Sequence, residues 1–227
     1  MNAAAPARYC NTATRAVAST LGVLVGLGSI DHGLLEVVQG NRPTSGLLVN
    51  ALGAGYHWTR WSQGGEGAFT LIPNFLVTGL LATLIGAALI LWSLRSLGTI
   101  WGPTIFLALS VASFLTGGGV AQLALFTLTW AAATRIRASL AFWNWLLPMA
   151  LCGFVQGWWR WTSVAATVLF LAALEIAIVG YVPGVTGDIA ALHICWALVL
   201  AGLGLFVISF VLAFAHDLGM RSSRDSE

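Results

Sequence analysis

Apolar residues occur along this chain in long runs, separated by short polar or glycine-rich segments. A run of about 20 apolar residues is long enough to cross the hydrocarbon core of a membrane as a helix. The pattern therefore predicts an all-α fold, a polytopic transmembrane helical bundle. The six predicted spans cover residues 16–38, 68–92, 98–116, 120–134, 162–182 and 189–215.

The segments between the spans differ in character. Residues 39–67 form a polar, glycine-rich loop, long enough to carry a function. Residues 135–161 are apolar but hold Pro148 and several tryptophans, which indicates an interfacial or re-entrant segment between spans four and five. Residues 1–15 form an N-terminal segment, and the polar tail 217–227 is expected to be disordered. Gly117, Gly118 and Gly119 predict a flexible turn between spans three and four.

Composition agrees with a membrane location. Hydrophobic residues make up 58% of the 227 residues and charged residues only 8%, whereas soluble domains carry about 25% charged residues. The net charge of +2 is too small to indicate binding to nucleic acid. The three cysteines are far apart in the sequence and predict neither a disulfide framework nor a metal site.

The arginines orient the bundle, because positive residues favour the cytoplasmic side of a membrane. All ten basic residues are arginine, and abundant alanine and glycine beside them indicate a bacterial genome rich in GC. With six spans, eight arginines are cytoplasmic and two, Arg42 and Arg60, face outward. If residues 135–161 also crossed, the distribution would be five against five. The sequence thus predicts a multi-pass protein of the bacterial plasma membrane with both termini in the cytoplasm.

The first span ends with three ionisable residues, Asp31, His32 and Glu36, which are costly in lipid. Helical phasing places Glu36 on the same stripe as Ser29 and several glycines, with His32 one turn before it. Asp31 lies on the opposite side of the helix. His32 and Glu36 are therefore expected to face the interior of the bundle, and Asp31 is not.

Further polar residues fall in the outer half of the predicted bundle, at depths similar to that of Glu36. Glu175 interrupts the fifth span and needs a cation or several hydrogen-bond donors. The first candidates for a ligand-binding or proton-relay site are His32, Glu36, Glu175 and His193. The second candidates are Asp31, Asn74, Gln122, His57 and Arg60. Together these residues predict a polar pocket that opens outward.

The chemistry of this pocket stays open at the sequence level. A glutamate and a histidine at matched depth could relay a proton, hold a quinone oxygen or complete a metal site. His32 and Glu36 are four residues apart, which is also the spacing of an ordinary helix pair, so no metal is assigned. The sequence lacks the common hydrolase, zinc-protease, dinucleotide-binding and haem-attachment motifs. It therefore favours a role other than an enzyme, and the cofactor is unknown.

Three stretches carry a resemblance to other proteins: Ser29 to Gly40, Thr70 to Gly79, and Gly117 to Ile136. In these stretches the chain resembles bacterial multi-pass integral membrane proteins of unassigned function. The resemblance covers about the first 140 residues. It implies a shared membrane fold and carries no residue role.

Three function hypotheses follow from the sequence. The leading one is a small plasma-membrane protein whose outward-facing pocket binds a ligand, a lipid or a partner subunit. The alternative is a structural or accessory subunit without a chemical site, in which faces containing Gly22, Gly26, Gly79 and Gly86 pack helices, a second copy or a partner. The third is a proton-coupled transporter or a membrane enzyme using a quinone or metal. In each hypothesis the lipid bilayer surrounds the protein.

Overall fold

The computed structural model describes residues 10–51, 67–147, 157–179 and 181–225. Within these ranges the chain forms seven helices and three short strands. The helices are α1 (Thr12–Gln39), α2 (Phe75–Arg95), α3 (Gly102–Leu115), α4 (Gln122–Ala133), α5 (Ala141–Leu146), α6 (Trp158–Val179) and α7 (Asp188–Asp225). The strands are β1 (Leu48–Asn50), β2 (Gly67–Thr70) and β3 (Thr116–Gly119). The predicted helical architecture is confirmed, and a small sheet that the sequence did not indicate is added to it.

Four of the helices, α1, α2, α6 and α7, are long and apolar enough to cross a membrane. The shorter apolar helices α3 and α4 have 14 and 12 residues, or about 21 and 18 Å of helix, against about 30 Å of hydrocarbon core. Large aliphatic side chains such as Leu84 and Leu200 are exposed on the long helices. An apolar outer surface of this kind suits lipid rather than water.

Helices α1 and α2 pack backbone to backbone through their glycines. A Cβ atom on Gly26 would lie 2.7 Å from the carbonyl oxygen of Gly86, and one on Gly33 would lie 2.6 Å from that of Gly79. No side chain fits at such distances, so glycine permits this antiparallel pair. The glycine faces predicted to pack helices do so within the chain.

The second predicted span begins later than expected, because its first residues belong to the sheet. Strand β2 pairs antiparallel with β1 on one side and with β3 on the other. Helix α2 starts only after Pro73, where the Asn74 side chain accepts a hydrogen bond from the Val77 amide at 3.2 Å. Proline disfavours helix in the preceding residue, and asparagine is a preferred N-cap.

The glycine run that predicted a flexible turn is instead a buried strand. Gly117, Gly118 and Gly119 belong to β3 and are buried, and Gly117 has a φ of +102°. Strand β3 joins α3 to α4, so these two helices and the strand form one hairpin. Its extended tip explains why α3 and α4 are short.

The aromatic segment between spans four and five divides into three parts. Helix α5 occupies its first half, and Trp158, Trp159 and Trp161 belong to the start of α6. Residues 148–156, which include Pro148, lie outside the described residues. Whether the segment crosses the membrane or lies in the interface stays a prediction.

Helix α7 continues to Asp225, through most of the tail that was expected to be disordered. Its Asp217 is buried and caps α1. The carboxylate accepts hydrogen bonds from the amides of Ala13 and Thr14 at 3.0 and 2.9 Å, and from the Thr14 hydroxyl at 2.7 Å. A negative charge at these otherwise unpaired amides is favourable. The guanidinium of Arg221, one turn later, donates to the Asn11 side chain and to the carbonyl oxygens of Ser139 and Ala138.

We predict that Asp217→Ala lowers the free energy of unfolding by about 1–3 kcal/mol, because it leaves two buried amides without an acceptor. Asp217→Asn, which keeps one acceptor oxygen, should lose less. Denaturant unfolding of the purified protein in detergent measures both changes. Glu175→Ala, which removes an exposed carboxylate, is the control, and unfolding of Asp217→Ala at the wild-type midpoint would contradict the cap.

Candidate functional site

Three polar side chains line one buried face of α1. Ser29 and Glu36 are completely buried, and His32 is 6% exposed. Their spacing of three and four residues places them on one side of the helix, in agreement with the phasing of the sequence. Asp31 is half-buried and stands outside this face. The structure therefore separates Asp31 from His32 and Glu36.

The glycine strand β3 lies directly on His32 and Glu36. A Cβ atom on Gly119 would lie 2.3 Å from Nε2 of His32, and one on Gly117 would lie 2.4 Å from Oε2 of Glu36. Any side chain at these two positions would overlap the ring or the carboxyl group. The glycines therefore bring bare backbone against the two ionisable side chains.

The carboxyl group of Glu36 has no hydrogen-bond partner among the described residues. The hydroxyl of Thr78 faces it, but that hydroxyl donates to the carbonyl oxygen of Thr116 at 2.7 Å. The neighbouring Thr70 hydroxyl lies 2.7 Å from that of Thr78 and accepts a hydrogen bond from the backbone amide of Ile72. A buried carboxylate without donors is costly, so this position requires either a proton or a cation.

His32 is held in one orientation by its own helix. Its Nδ1 donates to the carbonyl oxygen of Gly28 at 3.0 Å, and since a carbonyl oxygen only accepts, Nδ1 carries the hydrogen. In the neutral ring the second nitrogen, Nε2, is then the atom that can gain a proton. This atom faces Gly119, beside the Glu36 site.

A second polar group extends the site along α1 and joins three helices. The Ser113 hydroxyl of α3 donates to that of Ser29 at 2.8 Å, and the Ser29 hydroxyl donates to Oε1 of Gln122 on α4 at 2.9 Å. The sequence identified Gln122 but missed Ser113, Thr70 and Thr78, because serine and threonine are common in apolar helices and carried no distinguishing pattern. The buried polar region therefore runs from Gln122 to Glu36.

The structure does not bring Glu175 and His193 to this site. Both side chains are exposed, on α6 and α7 respectively. The Cys195 thiol donates to the carbonyl oxygen of Ala173 at 3.4 Å, a register that places Glu175 and His193 at a similar level of the α6–α7 pair. Glu175 lies four residues before the last residue of α6, nearer to the helix end than its predicted span implied.

The remaining candidates have separate positions. Asn74 caps α2 and donates to the side-chain oxygen of Asn41 at 2.6 Å, so its polar groups serve the fold. His57 and Arg60 lie outside the described residues. Across the part of the chain that the structure describes, no group of three His, Cys, Asp or Glu side chains could hold a metal ion.

Comparison of the chain with protein-family models, curated proteins and solved structures finds no match.

We predict that Gly119→Ala lowers the free energy of unfolding by about 1–3 kcal/mol, the typical cost of overpacking, because the new Cβ overlaps the His32 ring. In a His32→Ala background the same change should cost clearly less. Unfolding of the four proteins of this double-mutant cycle gives the coupling. Gly204→Ala on α7, where a Cβ enters open space, is the control. Equal costs of Gly119→Ala in the two backgrounds would contradict the contact.

Proposed function

We propose that the protein is a small proton-coupled transporter of the bacterial plasma membrane, in which Glu36 binds the coupling proton and His32 is its partner. The observation that carries the proposal is a completely buried carboxyl group that has no hydrogen-bond partner among the described residues, inside a helix long enough to span a membrane. Ionisable residues at such positions typically mark ion pathways and proton relays.

Two states of the site are chemically reasonable. In the first, Glu36 is a neutral carboxyl group that fits against the backbone of Gly117. In the second, the proton has moved away and the negative charge is balanced by a protonated Nε2 on His32, one turn along α1. Because His32 holds Nδ1–H toward Gly28, the ring can gain and lose a proton without turning. The pair can therefore store one proton in two places.

The hairpin tip is the element we expect to respond. Strand β3 covers both side chains, and backbone in extended form at membrane depth is tolerated where protein buries it. An ionised Glu36 would draw water or a cation toward the site, which favours displacement of β3. Known secondary transporters also place irregular backbone beside their coupling-ion sites.

The topology we propose has six spans, with α3 and α4 as the two short ones and residues 135–161 at the interface. The arginine distribution supports cytoplasmic termini, which directs the Gln39 end of α1 outward. The glycine strand and the sheet then lie in the outer half of the bundle, and the site opens outward when β3 moves. Of the residues that the sequence suggested for an outward-facing pocket, this proposal keeps His32 and Glu36.

We predict that Glu36→Gln abolishes pH-dependent proton binding at this site while leaving the protein folded, because glutamine keeps the shape and cannot ionise. Infrared difference spectra between acid and alkaline buffers should show a buried carboxyl band in the wild type and none in Glu36→Gln. Glu175→Gln should keep the band. A wild type that lacks any band dependent on Glu36 would refute the proton site.

Transport is tested separately from proton binding. Liposomes that contain the protein and a pH-sensitive dye should acidify or alkalinise on addition of a transported solute, and Glu36→Gln should remove that response. If the infrared band is present but no solute drives proton movement, the proton-binding role of Glu36 stands and the transport function is wrong.

A second candidate function, an accessory subunit, is favoured by Glu175 and His193. Both are exposed near one end of the α6–α7 pair, and polar groups on a helix surface in a membrane are more favourable when a partner protein covers them. The glycine faces of α1 and α2 are already occupied within the chain, so the partner would bind α6 and α7.

We predict for this candidate that Glu175→Leu combined with His193→Leu weakens recovery of a stoichiometric partner in mild detergent at least severalfold. The double variant should stay folded, because both side chains are exposed. Leu84→Ala, which changes an exposed side chain of α2, is the control. A wild type that purifies alone, without a stoichiometric protein, would remove this candidate.

A further inference from the structure

A cavity of about 140 Å³ lies between two parts of the bundle, with α1 and α4 on one side and α6 and α7 on the other. Its walls are mostly aliphatic, with the Phe170 ring among them. The polar side chains that border it are His32 and Gln122. Glu175 and His193, although close in sequence to the lining residues Leu174 and Cys195, do not border it. The cavity is thus a mostly apolar cleft with its polar groups on the α1–α4 side.

Gln122 presents a hydrogen-bond donor that the described residues leave unused. Its side chain is 7% exposed, its Oε1 accepts from Ser29, and its Nε2 has no acceptor among the described residues. Nε2 lies against Gly28, another residue of the cavity wall, within 3.0 Å of where a Cβ on that glycine would be. A buried donor without an acceptor is unfavourable, and a bound acceptor would recover part of that cost.

Size and polarity together restrict what could bind. An engineered apolar cavity of about 150 Å³ holds benzene, and a buried water needs two to four polar partners. This cavity is of benzene size and has apolar walls on most sides. A single small ring with one acceptor oxygen matches it better than a group of waters does.

We propose that this cavity is a binding site for a membrane-dissolved molecule that presents a carbonyl oxygen on a small apolar ring, with Nε2 of Gln122 as the donor to that oxygen. The cavity shares His32 with the Glu36 site, but its proposed donor, Gln122, takes no part in the proton exchange proposed for Glu36. The aliphatic side chains of the cavity wall supply contact area, and Gln122 supplies orientation.

The test compares cyclohexanone with cyclohexane, which have nearly the same size and differ in the carbonyl oxygen. Binding to the purified full-length protein in detergent micelles is measured by saturation-transfer NMR, with empty micelles subtracted. One hydrogen bond worth about 0.5–1.5 kcal/mol predicts that the wild type prefers cyclohexanone roughly two- to tenfold. Equal binding of the two probes, or no binding of either above empty micelles, would overturn the proposal.

Variants distinguish the effect of the Gln122 donor on binding from the effect of the cavity volume. Gln122→Met keeps the volume and removes the donor, so it should bind both probes equally. Ala177→Leu places a larger side chain in the cavity wall and should abolish binding of both probes. Ala197→Leu, at an exposed position of α7, should leave the binding of both unchanged. Thermal unfolding of each variant confirms the fold. A cyclohexanone preference that survives in Gln122→Met would assign the donor elsewhere and reject the proposal, even if Glu36→Gln still abolished proton binding.

Discussion

The arrangement of this protein depends on the contact between the glycines of strand β3 and two ionisable side chains of the first helix. Gly117 and Gly119 bring their backbone so close to Glu36 and His32 that even a methyl group would overlap them. That contact requires β3 to be extended, and the extended strand shortens α3 and α4. It also gives β2 a partner for its backbone, which delays the start of α2. The burial of the Glu36 carboxyl group and the pairing of the three strands therefore follow from one packing arrangement.

The sequence predicted what depends on local pattern. Apolar run length located the long helices, and the 3.6-residue period placed Glu36 and His32 on the buried face of α1 and Asp31 away from it. The sheet escaped prediction because its three strands are short and separated by many residues, so pairing is a property of the folded chain. Glycine runs are ambiguous in the same way, since the residue that frees a turn also permits a close approach.

Glu175 shows a different limit of sequence reasoning. Its depth follows from the ends of its span, but its direction depends on which side of α6 packs against α7. The buried residues of α6 are Ser163, Ala166, Ala173 and Ala177, and their spacing marks a face to which Glu175 does not belong. A search for small-residue stripes, applied to α6 as it was to α1, would have separated Glu175 from the interior site.

The cap on α1 ties the beginning of the described chain to its last helix. Asp217 lies 204 residues after Ala13, whose amide it binds, and ribosomes add about 5–20 residues per second. For roughly 10–40 s of synthesis, the leading amides of the first helix must therefore be satisfied by groups other than Asp217. The cap can form only after α7 has been synthesised, and a chain truncated before Asp217 would keep the polar site of α1 but lose the contact that fixes that helix at its start.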